Sequence, residues 1–545
     1  MPLSSLRKPE RMRRILGILL VVALVGAACS RRETLVQHGN RAKILHRAIE
    51  YDPAELDPHV VSGGAEIKVV SALFDPLVQL DPDTLQPAPA LADRWTISPD
   101  GITYTFHLRD EAKWSNGEPI TATDCIAAWK RAMTPSLAAD YASLFELIRG
   151  AQAFTKDPAI DFSTVGLAAS DAQTLVVTLA RPAPYFLQVL HLMAFRPVQV
   201  SSMARHGDPY RRGGRWTRPE NIVTSGPFTL KEWTPNRRII VEKSPRYWDA
   251  SRVRLQAIHF HPVDSEDTEE REFRAGQLHV TEHVPLSKIA SYRRDHPTLL
   301  RTDPYLDTYF FRFNIRRAPL ADWRVRRALS LAIDRATLTQ KLLAGGQQPA
   351  ATLVPPNLPG YTPLNRPIFD LVEARRLLAD AGYPGGRGLP PLEILHNSAA
   401  SRRLICEAIQ EMWRRELGID VKLSNQEPKV MFAARRAGDY QIILSDWIGD
   451  YFDPTTFLDL WRAGSHNNHT GWSDSAYDGA LDGAAEISEP SARAAALQKA
   501  ETLLLDASPI APLYYNTHVY LVQPSVKGWR PNALDQIDYK QVWLD

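Results

Sequence analysis

Residues 440–454 have the sequence YQIILSDWIGDYFDP, and this stretch is the most informative part of the chain. It opens with a β-branched, apolar run, which is typical of a buried strand. The run then breaks into a loop that carries three acids, three aromatic residues and a glycine. The stretch therefore predicts a buried strand that leads into a loop with an unusual concentration of acidic and aromatic side chains.

Asp450 lies in that loop among Trp447, Tyr451 and Phe452. A carboxylate in aromatic surroundings is costly unless a cation meets it. No Lys or Arg occurs between positions 438 and 460, so the neutralising charge must come from a distant part of the fold or from a ligand. One hypothesis is a ligand ammonium held by Asp450 over an aromatic floor. The alternative is a loop whose acids are solvated or paired with a distant arginine.

Length, composition and charge indicate an ordinary globular protein with several domains. The chain has 545 residues, which implies roughly three or four domain-sized units. Hydrophobic residues make up 44% and charged residues 23%, and the formal net charge is +2. With no dominant basic surface, a nucleic-acid partner is not expected.

The N-terminus predicts a targeting segment. A basic region is followed by an apolar run at 15–25, which is shorter than the roughly 20 residues of a membrane span, and then by GAAC at 26–29. Small residues before a Cys resemble the lipobox of bacterial lipoproteins. We therefore expect 1–29 to be a lipoprotein signal peptide, 30–40 a polar tether, and Cys29 the lipidated residue that anchors the protein to a membrane. The alternative is a plain signal peptide in which Cys29 has no role.

The other cysteines, Cys125 and Cys406, both fall on helix-like patterns and are expected to be buried thiols. A disulfide between them is allowed in an oxidising compartment but nothing requires it. No Cys/His spacing resembles a zinc site; the nearest candidate, His466–His469, is better explained as a surface loop. We expect no metal and no cofactor.

Local patterns predict several elements near the N-terminus. A strand is expected over Lys43–Glu50, a helix over Ile67–Leu80, and an antiparallel strand over Thr103–Arg109, where polar and apolar residues alternate. Thr123 or Asp124 is the predicted N-cap of the helix that follows.

Many motifs together resemble one family, the extracytoplasmic solute-binding proteins of peptide ABC transporters (family 5). The likeness is greatest to the oligopeptide-binding members, and it runs from about residue 43 to the C-terminus. Besides the stretch that opens this section, the matching segments include PALADRW at 89–95, SPDGITYTFHLRDEAKWSNGEPITATD at 98–124, DWRVRRALSLAIDR at 322–335, LLADAGYPGG at 377–386 and LGIDVKLSNQE at 417–427.

The resemblance implies an α/β, two-lobed periplasmic-binding-protein fold of the class II, peptide-binding type. It also implies two crossovers between the lobes and an additional α+β domain. We expect the first lobe to comprise 41–75, 201–300 and 516–545, the extra domain 76–200, and the second lobe 301–515.

The resemblance also implies a binding site. In the family, the acid of a Trp-x-x-Asp-Tyr motif pairs with the α-ammonium of the bound peptide, and here that acid is Asp450. The peptide is held extended by backbone groups, expected here at 445–447 and 223–226. Arg317 and Arg402 align with cationic family residues, and Tyr141 with a Tyr that contacts the ligand; their alternatives are surface arginines and a packed aromatic. The predicted ligand-binding residues are Asp450, Trp447, Tyr451, Tyr141, Ser445, Gly226, Arg317 and Arg402.

Some positions depart from the family pattern. Leu444 stands where a relative has an Arg, and Pro428 replaces a Trp. A disulfide found in some relatives would join the positions of Asp307 and Ile448, so it cannot form here. Peptide length and side-chain preference are therefore left open.

The function implied is capture of oligopeptides for an ABC importer, whose permease subunits would be the partners. The protein is expected to be monomeric, periplasmic and anchored to a membrane. Murein-peptide, dipeptide, nickel or haem binding by the same fold are alternatives, as is a sensory lipoprotein without transport. An enzyme is not expected, because hydrolase motifs such as Gly-x-Ser-x-Gly and His-Glu-x-x-His are missing from convincing contexts.

Overall fold

A computed structural model of the chain describes residues 33–545 with five single-residue exceptions. The exceptions are Pro158, Asn357, Pro359, His466 and Ser488. The predicted signal peptide at 1–29, its Cys29 and the first residues of the tether lie outside the described residues. Among the helices that are described, none is both long enough and apolar enough to cross a membrane.

The first lobe is built on a four-stranded mixed sheet. Its first two strands run parallel and the other pairs are antiparallel. Leu45 and Phe260 lie on the face that packs into a core shared with the extra domain. The strands, in spatial order, are Ile44–Ile49, Ala257–Pro262, Arg238–Lys243 and Phe228–Thr234.

The extra domain contains a second four-stranded sheet, which is antiparallel throughout. The alternating burial along Thr103–Leu108 confirms the predicted strand there, because every second side chain faces the core. In order, the strands are Ala92–Ile97, Thr103–Leu108, Thr174–Thr178 and Leu167–Ala169.

The second lobe is organised around a six-stranded sheet. Two long strands, Leu300–Phe313 and Ile510–Leu521, pair antiparallel along their length, and next to their outer end Val522 bridges to Val280 of the first lobe. These strands are the two predicted crossovers between the lobes. The order is Gln348–Pro349, Ile510–Leu521, Leu300–Phe313, Ile442–Ile448, Leu392–Asn397 and Val421–Gln426.

The helices cover these sheets, and two short ribbons complete the strands. The longer helices are Leu35–Ala42, Gly64–Leu73, Ala122–Met133, Glu266–Arg274, Leu286–Asp295, Trp323–Leu331, Leu371–Asp380, Ala400–Leu417, Pro428–Ala437, Ser475–Glu486 and Pro490–Ala507. The shorter ones are Ala151–Lys156, Phe186–Val189, Val200–Met203, Arg335–Thr337 and Thr455–Leu458. The ribbons pair Val78–Leu80 with Pro87–Pro89 and Val526–Lys527 with Trp543–Leu544.

Two local predictions near the N-terminus need correction. The helix predicted to reach Leu80 ends at Leu73, because Pro76 disfavours helical backbone at the residue before it and the chain becomes extended from Phe74. The next helix is capped by Thr121 rather than by Thr123 or Asp124: its hydroxyl accepts the Asp124 N–H, and the Asp124 carboxylate bonds back to the cap.

The strand within residues 440–454 is longer than predicted. The strand runs over Ile442–Ile448, so Asp446 and Trp447 belong to it rather than to the loop. They are held there by pairing with Tyr309 and Thr308 of the neighbouring crossover strand. The loop that follows is therefore shorter and begins at position 449.

The two described cysteines are free and buried, each on a helix as predicted. Cys125 lies on Ala122–Met133 and Cys406 on Ala400–Leu417. Burial raises the pKa of both thiols, that of Cys406 to about 12, so neither carries thiolate at neutral pH.

Candidate functional site

A cavity of about 340 Å³ lies between the two lobes. It is the place where the end of the strand Ile442–Ile448 faces the helix Gly64–Leu73 and the crossover strands. Both lobes and the extra domain contribute side chains, so the cavity exists only when these parts are close together. Its polar walls include Lys68, Tyr141, Glu282, Asp307, Arg402, Arg435, Ser445, Asp446, Trp447, Asp450, His518 and Asp535.

Asp450 occupies one end of the cavity wall, just after the strand ends, and is half-buried. Its backbone N–H donates to the Thr456 hydroxyl at 2.8 Å, and its carboxylate accepts a hydrogen bond from the Tyr141 hydroxyl at 3.1 Å. Gly449 allows the preceding turn, because a Cβ there would lie 2.5 Å from a Leu306 methyl. Within the described chain, no Lys, Arg or His forms an ion pair with this carboxylate.

The surroundings of Asp450 weaken its acidity. Burial raises the pKa of the Asp450 carboxyl to about 7, and the hydrogen bond from Tyr141 offsets only part of that rise. Burial without a counter-ion disfavours the charged form of a carboxyl group, and a cation placed beside the group would favour its ionisation. The site is therefore suited to a positively charged partner that arrives from outside the protein.

One edge of the strand beside Asp450 is open. Phe310 and Thr308 pair with Ser445 and Trp447 on one side, while on the other side the strand Leu392–Asn397 pairs only with Ile442 and Ile443. Backbone from 444 to 448 thus has a free edge along the cavity. The side chains there add two donors, because the Trp447 indole nitrogen and the Ser445 hydroxyl are buried without hydrogen-bond partners in the described chain.

Arg402 lines the cavity, but its charge is already matched by a protein carboxylate. Its guanidinium donates to the Asp446 carboxylate at 2.7 Å and to the Tyr309 hydroxyl at 3.2 Å. The same group lies 5.0 Å from the centre of the Tyr309 ring. Arg402 is therefore held in place as part of the wall.

Arg435 is a second cavity-lining arginine, and it was not among the residues predicted from the sequence. Its side chain forms no ion pair or hydrogen bond within the described residues, and its Nε is buried without a partner. The guanidinium stacks over Phe432 at 5.1 Å from the ring centre. Burial lowers the pKa of the guanidinium, and the Asp446 carboxylate acts in the opposite direction. Only the helical spacing from Met431 could have indicated that it faces inward.

A buried charge cluster forms another part of the cavity wall. The Lys68 ammonium lies 2.6 Å from a Glu282 oxygen and 2.9 Å from an Asp535 oxygen. Nδ1 of His518 lies 2.9 Å from the other oxygen of Asp535. None of these residues was predicted from the sequence, although a single Lys in the apolar run Ile67–Val70 is a signal that a buried acid is nearby.

Three of the predicted ligand residues do not line the cavity. Tyr451 is buried and stacks on Tyr185 at 5.0 Å between ring centres, where it supports the loop that carries Asp450. Gly226 donates its N–H to the Leu73 carbonyl at 2.8 Å. Arg317 is on the surface and pairs with Asp439 at 3.0 Å. The other five predicted residues are Asp450, Trp447, Tyr141, Ser445 and Arg402, and all of them lie in the cavity wall.

Comparison with known proteins places this site in a family context. The chain is 35% identical over 505 residues to the periplasmic murein peptide-binding protein MppA of Escherichia coli, covering 91% of this chain and 92% of the relative. It is 33% identical over 506 residues to the periplasmic oligopeptide-binding protein OppA of Salmonella typhimurium, covering 90% of each.

Solved structures agree with this. A structure of Haemophilus influenzae OppA in complex with the peptide RPPGFSPFR superposes with a TM-score of 0.86 at 30% identity, covering 92% of this chain and 99% of that one. MppA itself superposes with a TM-score of 0.87 in one structure, at 34% identity and covering 92% and 98%, but with only 0.67 in its unliganded open form. The arrangement of the chain therefore resembles that in the first MppA structure more than that in the unliganded open form.

The family described as bacterial extracellular solute-binding proteins, family 5 (middle) matches residues 86–469. That range contains the crossover strand Leu300–Phe313, the open strand edge and Asp450. The fold, the position of the cavity and these matches agree, and the chain belongs to the family 5 bacterial extracellular solute-binding proteins.

Proposed function

We propose that the protein is the extracytoplasmic peptide-binding component of an ABC importer and that it holds the amino terminus of an oligopeptide at Asp450. The observation that carries the proposal is a half-buried carboxylate in the interlobe cavity whose neighbours include a neutral donor, Tyr141, but no protein cation within the described chain. An α-ammonium supplies the missing charge, and the pair is strong because the closed cavity excludes most water. The names of the OppA relatives support the same ligand class.

The peptide backbone is held by strand addition. An extended guest pairs with the open edge at 444–448, so that main-chain hydrogen bonds supply affinity without reading side chains. The buried Ser445 hydroxyl and the Trp447 indole N–H are available for its carbonyl groups. The second backbone segment expected from the resemblance, 223–226, is less suited, because Thr224 and Gly226 already bond to Ser115 and Leu73.

The carboxyl end of the guest is assigned to Arg435. This residue lines the cavity and has a guanidinium without an anionic partner in the described chain, whereas Arg402 is matched by Asp446 and Arg317 lies on the surface. A guanidinium binds a carboxylate with two parallel hydrogen bonds, which favours Arg435 as the terminal anchor.

Murein peptides are a second candidate within the same class, because the chain is similar to the murein peptide-binding protein MppA. A metal or haem in the cavity is less well supported. His518 is held by Asp535, and the adjacent carboxylates are occupied by the Lys68 ammonium.

The remaining assignments are inferred from the family resemblance and from the lipobox-like residues at 26–29. The protein works as a monomer outside the cytoplasm, is tethered to a membrane through lipidated Cys29, and delivers its ligand to permease subunits. It leaves the peptide intact, since binding and release by hinge closure require no chemistry. A sensory lipoprotein would bind in the same way but would not support import of labelled peptide by cells.

The first experiment is to identify ligands that co-purify with the protein, by denaturation and mass spectrometry. One such peptide is then titrated by calorimetry in its free and N-acetylated forms. We expect acetylation to weaken binding at least about 100-fold, because it leaves the buried carboxylate unmatched. Equal affinities for the two forms would contradict the role of Asp450, and failure to bind any peptide would contradict the proposed function.

A further inference from the structure

Three histidines meet on the face of the first-lobe sheet that lies opposite its core. His46 is on the strand Ile44–Ile49 and pairs in register with His259 of the adjacent parallel strand, while His261 lies two residues further along that strand. Residues in register, and those two apart on a strand, point to the same face. One nitrogen from each ring lies within 4.8 Å of the corresponding nitrogens of the other two.

The spacing of these nitrogens suits a metal ion. Nδ1 of His46 lies 3.1 Å from Nε2 of His261, where one ring donates a hydrogen bond to the other, and a bound ion would take the place of that hydrogen. Two imidazole nitrogens bound to one tetrahedral zinc ion at about 2.0–2.1 Å would be about 3.3 Å apart, so only a small adjustment is needed. His259 stands edge-on to His46, with the ring centres 4.9 Å apart. Its ring accepts or donates no hydrogen bond within the described residues, so its nitrogens are available.

A fourth histidine holds this arrangement in place. His279 stacks on His46 with ring centres 5.7 Å apart, accepts the His46 backbone N–H at 3.0 Å through Nδ1, and bonds to the Asn40 side-chain oxygen at 3.1 Å through Nε2. Both of its nitrogens are therefore used. The helix Leu35–Ala42 covers the pair closely, because a Cβ on Gly39 would lie 2.6 Å from the His279 ring.

The Arg238 guanidinium, whose charge acts on His259 and His261, is already paired with Glu232 at 2.9 Å.

We propose that His46, His259 and His261 bind a divalent transition-metal ion, with Zn²⁺ as the ion to test first. Three imidazoles suit Zn²⁺, Ni²⁺ or Cu²⁺, and they leave a coordination position for water. The site is separate from the interlobe cavity, which none of the three histidines lines. The ion would fasten together two strands that are more than 200 positions apart in sequence.

Glu282, His518 and Asp535 form another group with metal-ligand spacing, but it carries no such proposal. The Lys68 ammonium already lies between two of its carboxylates, so a metal ion would have to displace a buried charge pair.

The test uses the full mature chain without a polyhistidine tag, dialysed against EDTA and then against buffer. Calorimetric titration with ZnCl₂ is expected to show one ion per chain. His259→Gln and His261→Gln should each weaken binding tenfold or more, whereas His296→Gln, on an exposed residue, should leave it unchanged. Titration with Co²⁺ should give the visible absorption of a tetrahedral, nitrogen-bound ion in the wild type and lose it in the two variants.

Melting curves without metal show whether each variant folds, and peptide affinity should be the same in all of them because the site is outside the cavity. If the wild type binds no Zn²⁺, or if the His259→Gln and His261→Gln proteins bind it as well as the His296→Gln protein does, the proposal is wrong. If one variant fails to fold, the other variant and the Co²⁺ spectrum of the wild type decide the question.

Discussion

The hydroxyl of Tyr141 donates a hydrogen bond to the carboxylate of Asp450, at 3.1 Å and across 309 positions of sequence. It joins the segment predicted as the extra domain to the loop at the end of a second-lobe strand. The contact satisfies one lone pair of the carboxylate and supplies no charge. A ligand ammonium would therefore complete a bond network that the protein itself leaves electrically unbalanced.

Replacing Asp450 by Asn should abolish most peptide binding while leaving the fold intact. The amide keeps the size of the carboxylate and can still accept from Tyr141, but it cannot pair with an ammonium. Loss of one partner of a buried pair costs about 3–5 kcal/mol. Calorimetry with a free-amine peptide measures this. Asp439→Asn, on the surface beside Arg317, is the matched control and should bind normally.

Affinity for a free-amine peptide should rise with pH between 5 and 8. The pKa of Asp450 is about 7 in the ligand-free protein, so at lower pH the carboxyl is protonated and must lose its proton before it can pair. Below pH 7 the dependence approaches tenfold per unit, because the peptide amine, with a pKa near 8, stays charged. The Asp450→Asn protein should show a flat profile. A flat profile in the wild type would contradict the assignment.

Removing the hydroxyl of Tyr141 should weaken binding and move this pH dependence upward. The hydrogen bond from Tyr141 lowers the pKa of Asp450, so in Tyr141→Phe that pKa should rise further. A hydrogen bond to a charged group is worth about 1.5–3 kcal/mol, which sets the expected loss of binding free energy. Calorimetry over a series of pH values separates the two effects. A weaker affinity with an unmoved midpoint would assign Tyr141 to packing alone.

Arg435→Gln should weaken the binding of peptides with a free carboxyl terminus much more than that of C-terminally amidated peptides. The cavity-lining guanidinium has no anionic partner in the described chain, so the ligand carboxylate is its proposed counter-ion. The next residue, Arg436, is exposed and gives a matched control of the same charge and helix. If Arg435→Gln and Arg436→Gln bind a free-acid peptide equally well, another residue anchors the carboxyl end.

Gly226→Ala should reduce stability rather than alter ligand choice. An added Cβ would lie 2.6 Å from the carbonyl carbon of Leu73, against backbone that cannot move aside easily. Overpacking of this kind costs about 1–3 kcal/mol. Denaturant unfolding of the ligand-free protein measures the change in the free energy of unfolding. A stable variant with weaker peptide binding would instead support the contact with ligand that the family resemblance implied.

The sequence was sufficient for features that depend on local pattern or on family motifs. The alternation at Thr103–Leu108, the strand at Ile44–Ile49 and the crossover architecture all follow from such signals and are confirmed. Asp450 stood out because its neighbours are aromatic and no basic residue is near it in sequence. The helix that ends at Leu73 was predicted to be too long. Its apolar residues continue past Leu73, whereas Pro76 disfavours helical backbone at the residue before it.

Contacts between residues that are far apart in the chain could not be predicted from local sequence patterns. Arg435 looked like any helical arginine until the fold turned it towards the cavity, and nothing near Lys68 in sequence identifies Asp535 as its partner. The histidine cluster is the clearest case. His259 and His261 have a spacing that matches no zinc motif, and His46 reaches them only through parallel pairing of strands.

The strand edge at 444–448 has backbone groups that no neighbouring strand pairs with in the described chain. Unpaired strand edges are templates on which other chains can add, and exposed ones promote aggregation. In the closed arrangement the opposite lobe covers this edge, so the edge is protected from pairing with another chain. Each time the lobes open to admit a peptide, the unpaired strand edge is exposed to solvent. Rapid capture of a peptide would thus safeguard the receptor itself, and starvation for ligand would leave it prone to self-association.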